Sequence, residues 1–274
     1  MGGLFCGVDL AAEIEHAEAE LMAACAGAAR ATEPGAFALR LGGGFATYAG
    51  VDSPFTKVAG LGFAPVSPGE LEEVEGACAT VGVPVSVELS TLAGHELGTM
   101  LVDRGYRLVS FENVLGRGLR PGDTYRPLPD GVSVEPATDR EKWLAVVVEG
   151  SAHADEQGLA AHEEFPRQVV EHAERQLLAA GERPFLARLN GVPAGGGTWR
   201  PAGRVAQLGG AATLPAHRRR GVQSALLDHR LRDAAAAGHE VAVVTTQPGS
   251  KSQENVQRAG FELLYARAVL VRDR

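Results

Sequence analysis

Apolar and polar residues repeat along the chain with two different periods, and together these periods predict an α/β fold. In residues 8–30 the apolar side chains recur at spacings of three and four, which is typical of one face of a helix. Elsewhere, short apolar runs end at glycine, proline or asparagine, as strands do. The pair Asn190-Gly191 between two such runs predicts a hairpin. Strands are predicted at 37–48, 57–63, 84–89, 106–118, 132–135, 185–199, 204–213, 240–246 and 263–272, and further helices from 67 onward and at 95–104, 139–149, 156–180, 221–237 and 250–260.

Short local motifs predict where helices begin and break. Ser67 and Glu70 have the spacing of a capping box, in which each side chain accepts the backbone N–H of the other residue. Ser250 and Gln253 repeat this spacing ahead of the last helix. Pro166 predicts a break in the helical stretch at 156–180, because proline lacks the N–H that an interior turn needs.

A repeated order of elements predicts two similar modules. Residues 105–115 align with 260–270, since each segment opens with glycine and an aromatic residue, and residues 82–87 align with 238–243. Each copy also follows a strand and a helix. This shared order argues against a chance match between two short segments.

Proline and glycine separate the two copies. The stretch 121–130 is rich in both, which is typical of a linker. We therefore expect a first module over 1–120, a linker over 121–130 and a second module over 131–274. The turn at 64–69 in the first module has no arginine, and Pro65 and Pro68 remove two N–H donors, so the first module is expected to be structural.

Charge and cysteine content narrow the function classes. The 274 residues carry a formal net charge of −8, which argues against general nucleic-acid binding because that requires a basic face. Three cysteines without metal-ligand spacing indicate neither a disulfide framework nor a metal site and favour a reducing cytoplasm. The longest apolar runs fall short of the roughly 20 residues that span a bilayer. The N-terminus lacks the basic region of a signal peptide.

A cluster of arginines lies at a predicted strand-to-helix turn over residues 211–227. Arg218, Arg219 and Arg220 precede Gly221, which opens the helix. The first N–H groups of a helix have no internal partner and carry partial positive charge, so they favour an anion such as phosphate. Glycine lets the anion approach the backbone closely. A solvated basic loop is the alternative, but the strand–turn–helix context favours an anion site.

This stretch resembles the acyl-CoA-binding signature of the GNAT superfamily, the Gcn5-related N-acetyltransferases. Arg218-x-x-Gly221-x-Gln223 follows the family pattern after Pro215, except that Gln223 stands where the family has a small residue. The order of elements over 131–272 is similar as well. The resemblance implies a mixed sheet flanked by helices, with two GNAT-like modules in tandem and a degenerate first module.

The resemblance also implies a set of contacts to acetyl-CoA or CoA. Main-chain groups near the end of the signature strand would face the pantetheine arm and the acyl carbonyl, and these are Ala212, Thr213 and Leu214. Backbone amides of the turn would hold the pyrophosphate, and these belong to Arg218, Arg219, Arg220, Gly221, Val222, Gln223 and Ser224. Ser252 and Asn255 would approach the pantetheine or the thioester sulfur, although surface polarity near a helix cap is the alternative for both.

The catalytic residues follow the family pattern less closely. The family often has a tyrosine that protonates the leaving thiolate, and Val256 takes its place here. We expect the adjacent Asn255 to hydrogen-bond the thiolate. Tyr265 is another phenol, but a core position explains it better. The signature strand at 205–212 has no carboxylate, so the base is sought among Glu149, Asp155, Glu156, Glu163 and Glu164, with His153, His162 and His172 as further candidates.

The sequence thus predicts an acetyl-CoA-dependent N-acyltransferase. An amine of a small molecule would attack the thioester directly, and a basic peptide is an alternative acceptor for an acidic protein. O-acyl transfer or decarboxylation on the same fold stays open, as does an acyl-CoA-binding regulatory module without catalysis. We expect a monomer or homodimer with no nucleic-acid or membrane partner and no metal.

Overall fold

The computed structural model describes residues 3–120, 122–153 and 165–273, which divide into two compact units. The N-terminal unit consists of Phe5–Val114 and Leu263–Arg274, and the C-terminal unit consists of Met1–Leu4 and Leu115–Glu262. The α-helices are α1 (Val8–Ala29), α2 (Pro68–Val81), α3 (His95–Asp103), α4 (Arg140–Ser151), α5 (Arg167–Ala179), α6 (Val222–Ala236) and α7 (Lys251–Arg258), with a short 3-10 helix at Pro215–His217. The strands are β1 (Phe37–Leu41), β2 (Gly44–Tyr48), β3 (Val58–Leu61), β4 (Val85–Ser90), β5 (Arg107–Gly118), β6 (Val132–Pro136), β7 (Arg183–Leu189), β8 (Val192–Ala202), β9 (Val205–Thr213), β10 (Val241–Thr246) and β11 (Glu262–Arg272).

The N-terminal unit contains the strands in the order β1-β2-β3-β4-β11-β5. β11, the last strand of the chain, runs antiparallel to β4, with Leu270 opposite Val87. Leu270 is buried in the same apolar cluster as Val87, Leu71 and Leu101. The last strand therefore completes the sheet and core of a unit whose other residues precede position 115.

This division differs from the predicted modules at both ends of the second one. The C-terminal unit already begins at Leu115, within β5, and residues 263–274 belong to the N-terminal unit instead. The physical reason lies in strand pairing, since the whole pairing of β4 with β11 joins positions that are far apart in the sequence. Periodicity along a sequence predicts a strand but not its partner.

The C-terminal unit contains the strands in the order β5-β10-β9-β8-β7-β6, with the last four residues of β5 at one end. β10 runs parallel to β9, whereas β6, β7, β8 and β9 form antiparallel pairs. One buried cluster joins α6 to the sheet through Leu226 and Leu231, with Trp199 of β8. A second cluster joins α4 to α5 through Trp143 and Leu178.

Most of the predicted elements form where local chemistry specifies them. Ser67 and Glu70 make the predicted capping box at α2. Asn190 and Gly191 turn the hairpin between β7 and β8 with positive φ angles of 51° and 81°. The segment predicted as one strand at 37–48 is a hairpin instead, because Gly42 and Gly43 turn with positive φ between β1 and β2.

The second predicted capping box forms only in part. The Ser250 hydroxyl accepts the N–H of Gln253, as predicted. The Gln253 side chain accepts the N–H of Gly249 at 2.7 Å rather than that of Ser250. Among the described helices, none has the length and apolar character needed to cross a membrane.

Buried ion pairs occupy the centre of the N-terminal unit. The guanidinium of Arg267, 1% exposed, lies 2.7 Å from a Glu15 carboxylate oxygen, 3.5 Å from Glu88 and 3.6 Å from Glu112. Lys57 pairs with Glu88. Charges this deeply buried are stable only when they are paired, so β11 is held to α1, β4 and β5 by the acids that surround Arg267.

The surplus of acids in this cluster makes stability depend on pH. Burial first and the Glu88 carboxylate second raise the pKa of Glu112 to about 7. An unfolded glutamate ionises near pH 4.3, so the folded state becomes less stable as pH rises from about 4.5 to about 7. Over this pH range the free energy of unfolding of Glu112→Gln should fall by roughly 1–3 kcal/mol less than that of the native protein. Urea denaturation of native and variant protein near pH 5 and near pH 8 measures the difference.

The matched control is Glu73→Gln, which changes an exposed glutamate on α2. This control should follow the native pH dependence. If Glu112→Gln loses as much stability between the two pH values as the native protein does, burial does not raise the pKa of Glu112 in the folded state.

Candidate functional site

β9 and β10 separate partway along their length and leave main-chain groups without a strand partner. Their parallel pairing covers Val205 to Gln207 on β9 and ends where Gln207 meets Val243. β9 nevertheless continues to Thr213, and β10 to Thr246. Beyond Gln207 the β10 side of β9 is therefore open to a ligand.

A bulge in β9 lies at the start of this open segment. Thr198 of β8 pairs with Gly209 and Gly196 pairs with Ala212, so two residues of β9 oppose one residue of β8. Gly210 has a positive φ of 49°. The extra residue bends the strand away from regular pairing.

The buried Arg230 of α6 supports the bulge. Its guanidinium donates to the carbonyl of Thr198 at 2.9 Å and to the carbonyl of Gly209 at 3.1 Å. These two carbonyls belong to the last regular pair before the bulge. Burial lowers the pKa of Arg230 to about 10, which keeps the side chain cationic at neutral pH.

The start of α6 presents backbone donors to the same region. Gly221 precedes the helix with a φ of 77°, and no side chain caps the first turn. The amides of Val222, Gln223 and Ser224 therefore have no acceptor within the helix. A Cβ at Gly221 would lie 2.5 Å from Pro129 Cγ, so this turn requires glycine for space as well as for conformation.

The three arginines of the turn have different environments. Arg218 donates from its guanidinium to main-chain carbonyls of Thr213 and Gly150, both at 3.3 Å, and to that of His153. Its own amide donates to Pro215. Arg218 thus joins the end of α4 to β9, a structural role that the sequence did not predict. Arg219 and Arg220 are exposed.

These features surround one cavity of about 590 Å³ in the C-terminal unit. Five cationic side chains and no carboxylate are among its described lining residues, which favours a polyanionic ligand. Leu214 and Arg220 do not line the cavity, and the Leu214 amide donates to Ala194. The predicted residues that do line it are Ala212, Thr213, Arg218, Arg219, Gly221, Val222, Gln223, Ser224, Ser252 and Asn255.

Gln223 and Asn255 meet across this cavity. The Asn255 amide donates to the Gln223 side-chain oxygen at 2.8 Å and so connects α7 to the start of α6. Gln223, which replaces the small residue of the family pattern, therefore has a specific hydrogen-bond partner in Asn255. Val256, the residue in the place of the family's tyrosine, is buried in the core.

Of the proposed bases that fall within the described residues, His153 lines the cavity, and Glu149 and His172 do not. The Arg167 guanidinium, 2.6 Å from Glu149, holds the pKa of that carboxyl below its usual range. His172 is exposed, and Tyr265 belongs to the N-terminal unit, where it donates to Glu15. The described residues hold no group of three or more His, Cys, Asp or Glu side chains placed to bind a metal ion. Asp155, Glu156, His162, Glu163 and Glu164 lie outside the described residues.

Sequence reasoning missed one acidic residue near the bulge. Glu174 of α5 is 8% exposed, and burial first and Glu182 second raise its pKa to about 8. The sequence signal for this site is the pair Gly209-Gly210, because glycines inside a strand often mark a place where another group packs closely against the backbone.

Comparisons with known proteins agree with this geometry. The model of the acetyltransferase (GNAT) family matches residues 151–261. A search of curated proteins finds no sequence match to this chain. A solved GCN5-related N-acetyltransferase from Kribbella flavida is 22% identical, with 97% of this chain and 95% of that chain covered and a TM-score of 0.67.

Two further solved structures show the same fold. A GCN5-related N-acetyltransferase from Sphaerobacter thermophilus is 14% identical, with 95% of this chain and 93% of that chain covered and a TM-score of 0.58. A tandem GNAT protein from the clavulanic acid biosynthesis pathway is 12% identical, with coverages of 98% and 96% and a TM-score of 0.61. The resemblance predicted from the arginine turn is confirmed: the chain carries an acetyltransferase domain of the GNAT family, with a fold that supports acyl-CoA-dependent acyl transfer.

Proposed function

We propose that the C-terminal unit binds acetyl-CoA and transfers its acetyl group to the amine of a small molecule. One observation carries the proposal: the open edge of β9 and the uncapped start of α6 line a single cationic cavity. The open edge suits an extended amide-containing arm. The helix start suits a pyrophosphate.

The residues of the cavity fit acetyl-CoA in charge and in hydrogen bonding. The amides of Val222, Gln223 and Ser224 would hold the pyrophosphate. Arg219, in the lining, would add a charge-assisted bond, and the adjacent exposed Arg220 would add positive charge beside it. When bound, acetyl-CoA supplies an acetyl group already activated as a thioester.

The main chain near the end of β9 would polarise the acetyl carbonyl. The Leu214 N–H donates to Ala194 at 2.9 Å, on the β8 side. Successive N–H groups of a strand point to opposite sides, so the Thr213 N–H points away from β8 and towards the open edge. A fixed donor there would stabilise the negative charge that develops on the carbonyl oxygen.

The equivalent helix start in the N-terminal unit is closed. The Ser67 hydroxyl accepts the Glu70 amide, and the Glu70 carboxylate accepts the Ser67 amide at 2.7 Å. A negative charge thus already occupies the start of α2. These contacts support a structural role for the N-terminal unit and favour the C-terminal unit for the proposed activity.

Reversing the charge of the exposed turn should weaken cofactor binding. We expect Arg219→Glu/Arg220→Glu to weaken acetyl-CoA binding at least about tenfold, because two positive charges at the turn become negative charges that repel the phosphates. Calorimetric titration with acetyl-CoA and with CoA measures the effect.

The matched control is Arg120→Glu/Arg140→Glu, which makes the same change in net charge at exposed arginines outside the cavity lining. This control should bind like the native protein. An equal loss in both variants would mean that only the overall charge matters. No binding by the native protein would refute the proposed function.

Asn255 is proposed to hydrogen-bond the departing thiolate. We expect Asn255→Ala to lower kcat about tenfold or more, because it removes a donor at the leaving sulfur, while the Kd for acetyl-CoA changes little. Release of free CoA thiol during transfer to a panel of primary amines provides the rate. Gln257→Ala, at an exposed position on α7 outside the cavity lining, is the control. Binding of CoA without turnover by native protein would instead favour a regulatory module.

A further inference from the structure

The bulge in β9 brings two carboxylates against the backbone of one strand. Consecutive strand residues normally point to opposite faces of a sheet. Here a Cβ at Gly209 would lie 2.9 Å from Glu182 Oε1, and a Cβ at Gly210 would lie 2.9 Å from Glu174 Oε2. Both glycines therefore face the glutamates, and neither position has room for a side chain.

The Glu174 carboxylate has an oxygen with no hydrogen-bond donor. Glu174 Oε2 is buried and unpartnered within the described part of the chain, as is the Thr198 hydroxyl oxygen. That hydroxyl oxygen lies 3.1 Å from the same Cβ position at Gly210. Buried polar atoms are rarely left without partners, so this pair points to a donor that arrives with a ligand.

The charged groups around Glu174 come from several elements. Glu182 follows α5, and burial together with the Glu182 charge raises the pKa of Glu174 to about 8. Arg230 of α6 bonds to main-chain carbonyls, and Arg200 of β8 donates to Ala180 and Gln207. On the outer surface of α5, Arg175 pairs with Glu171 of the same helix and with Glu141 of α4.

The bulge also lies close to the proposed reaction centre. Gly210 precedes Ala211, which lines the cavity, and it lies two to three residues before Ala212 and Thr213. This separation is about 7–10 Å along an extended strand. A general base reaches the attacking nitrogen directly or through one water, which is at most about 6 Å. The nitrogen itself lies about 3 Å from the acetyl carbon that it attacks, so the two distances together cover this separation.

We propose that Glu174 is the general base that takes a proton from the ammonium group of the acceptor. This inference rests on the proposed function. One N–H bond of the ammonium breaks and its proton passes to Glu174, directly or through one water. The freed nitrogen pair forms the C–N bond with the acetyl carbon, the C–S bond breaks, and its electron pair leaves on the CoA sulfur. The second proton of the attacking nitrogen passes to solvent.

The test compares two acceptors that differ in their need for a base. Propylamine is an ammonium ion at neutral pH, whereas hydroxylamine is uncharged. For Glu174→Gln near pH 7.5 we expect a loss of about 100-fold or more in kcat/KM with propylamine and less than about threefold with hydroxylamine. The native propylamine profile should bend near pH 8, and the variant profile should rise without that bend.

The matched control is Glu171→Gln, which makes the same substitution one helical turn earlier at a half-exposed side chain. It should match the native protein with both amines. Infrared difference spectra between about pH 6 and about pH 9.5 supply a readout without substrate. The part of the protonated-carboxyl band that titrates near pH 8 should be present in native protein and in Glu171→Gln and missing in Glu174→Gln, whereas the part from Glu112, near pH 7, should remain in all three.

Each outcome decides the inference. If Glu174→Gln keeps the native propylamine rate, or loses both amines equally, Glu174 is not the base, although the transferase itself stands. If the native protein binds acetyl-CoA and acetylates neither amine, the proposed function fails and this inference fails with it. If the variant does not fold, a native profile without a bend near pH 8, or a native spectrum in which no carboxyl band titrates near pH 8, still overturns the inference.

Discussion

The bond from the Arg230 guanidinium to the carbonyls of Thr198 and Gly209 is the interaction on which the candidate site depends. It joins α6 to the last regular pair of β8 and β9 before the bulge. Because the guanidinium is buried, its charge is stable only while main-chain carbonyls solvate it, so this strand pair must keep its place against α6. One side chain thus ties the strand pair at the bulge to α6, the helix whose start lines the cavity.

That geometry separates opposite charges within the C-terminal unit. Cationic side chains and free amides line the cavity, and the glutamates lie against β9 at the bulge. An acyl donor that carries phosphates and an acceptor that carries an ammonium group would each meet a complementary field. Glycines at 209 and 210 make this arrangement possible, since any larger residue would displace the acids.

Much of the fold could be predicted because its determinants are local. The Asn190-Gly191 turn, the capping box at Ser67 and the arginine turn at Gly221 each specify structure within a few residues. The partner of β11 could not be predicted, because pairing with β4 depends on contacts across most of the chain. The structural role of Arg218 and the burial of Glu174 were missed for the same reason: both arise where separate elements meet, and neither leaves a periodic signal.

The position of β11 also has a consequence for the order of synthesis. A ribosome delivers residues 5–114 before the C-terminal unit and residues 263–272 after it, yet both segments belong to the N-terminal unit. Until β11 emerges, one edge of β4 is unpaired, and the acids that will surround Arg267 lack this cation. The final assembly of the N-terminal unit must therefore wait until the C-terminal unit has been synthesised and β11 has left the exit tunnel.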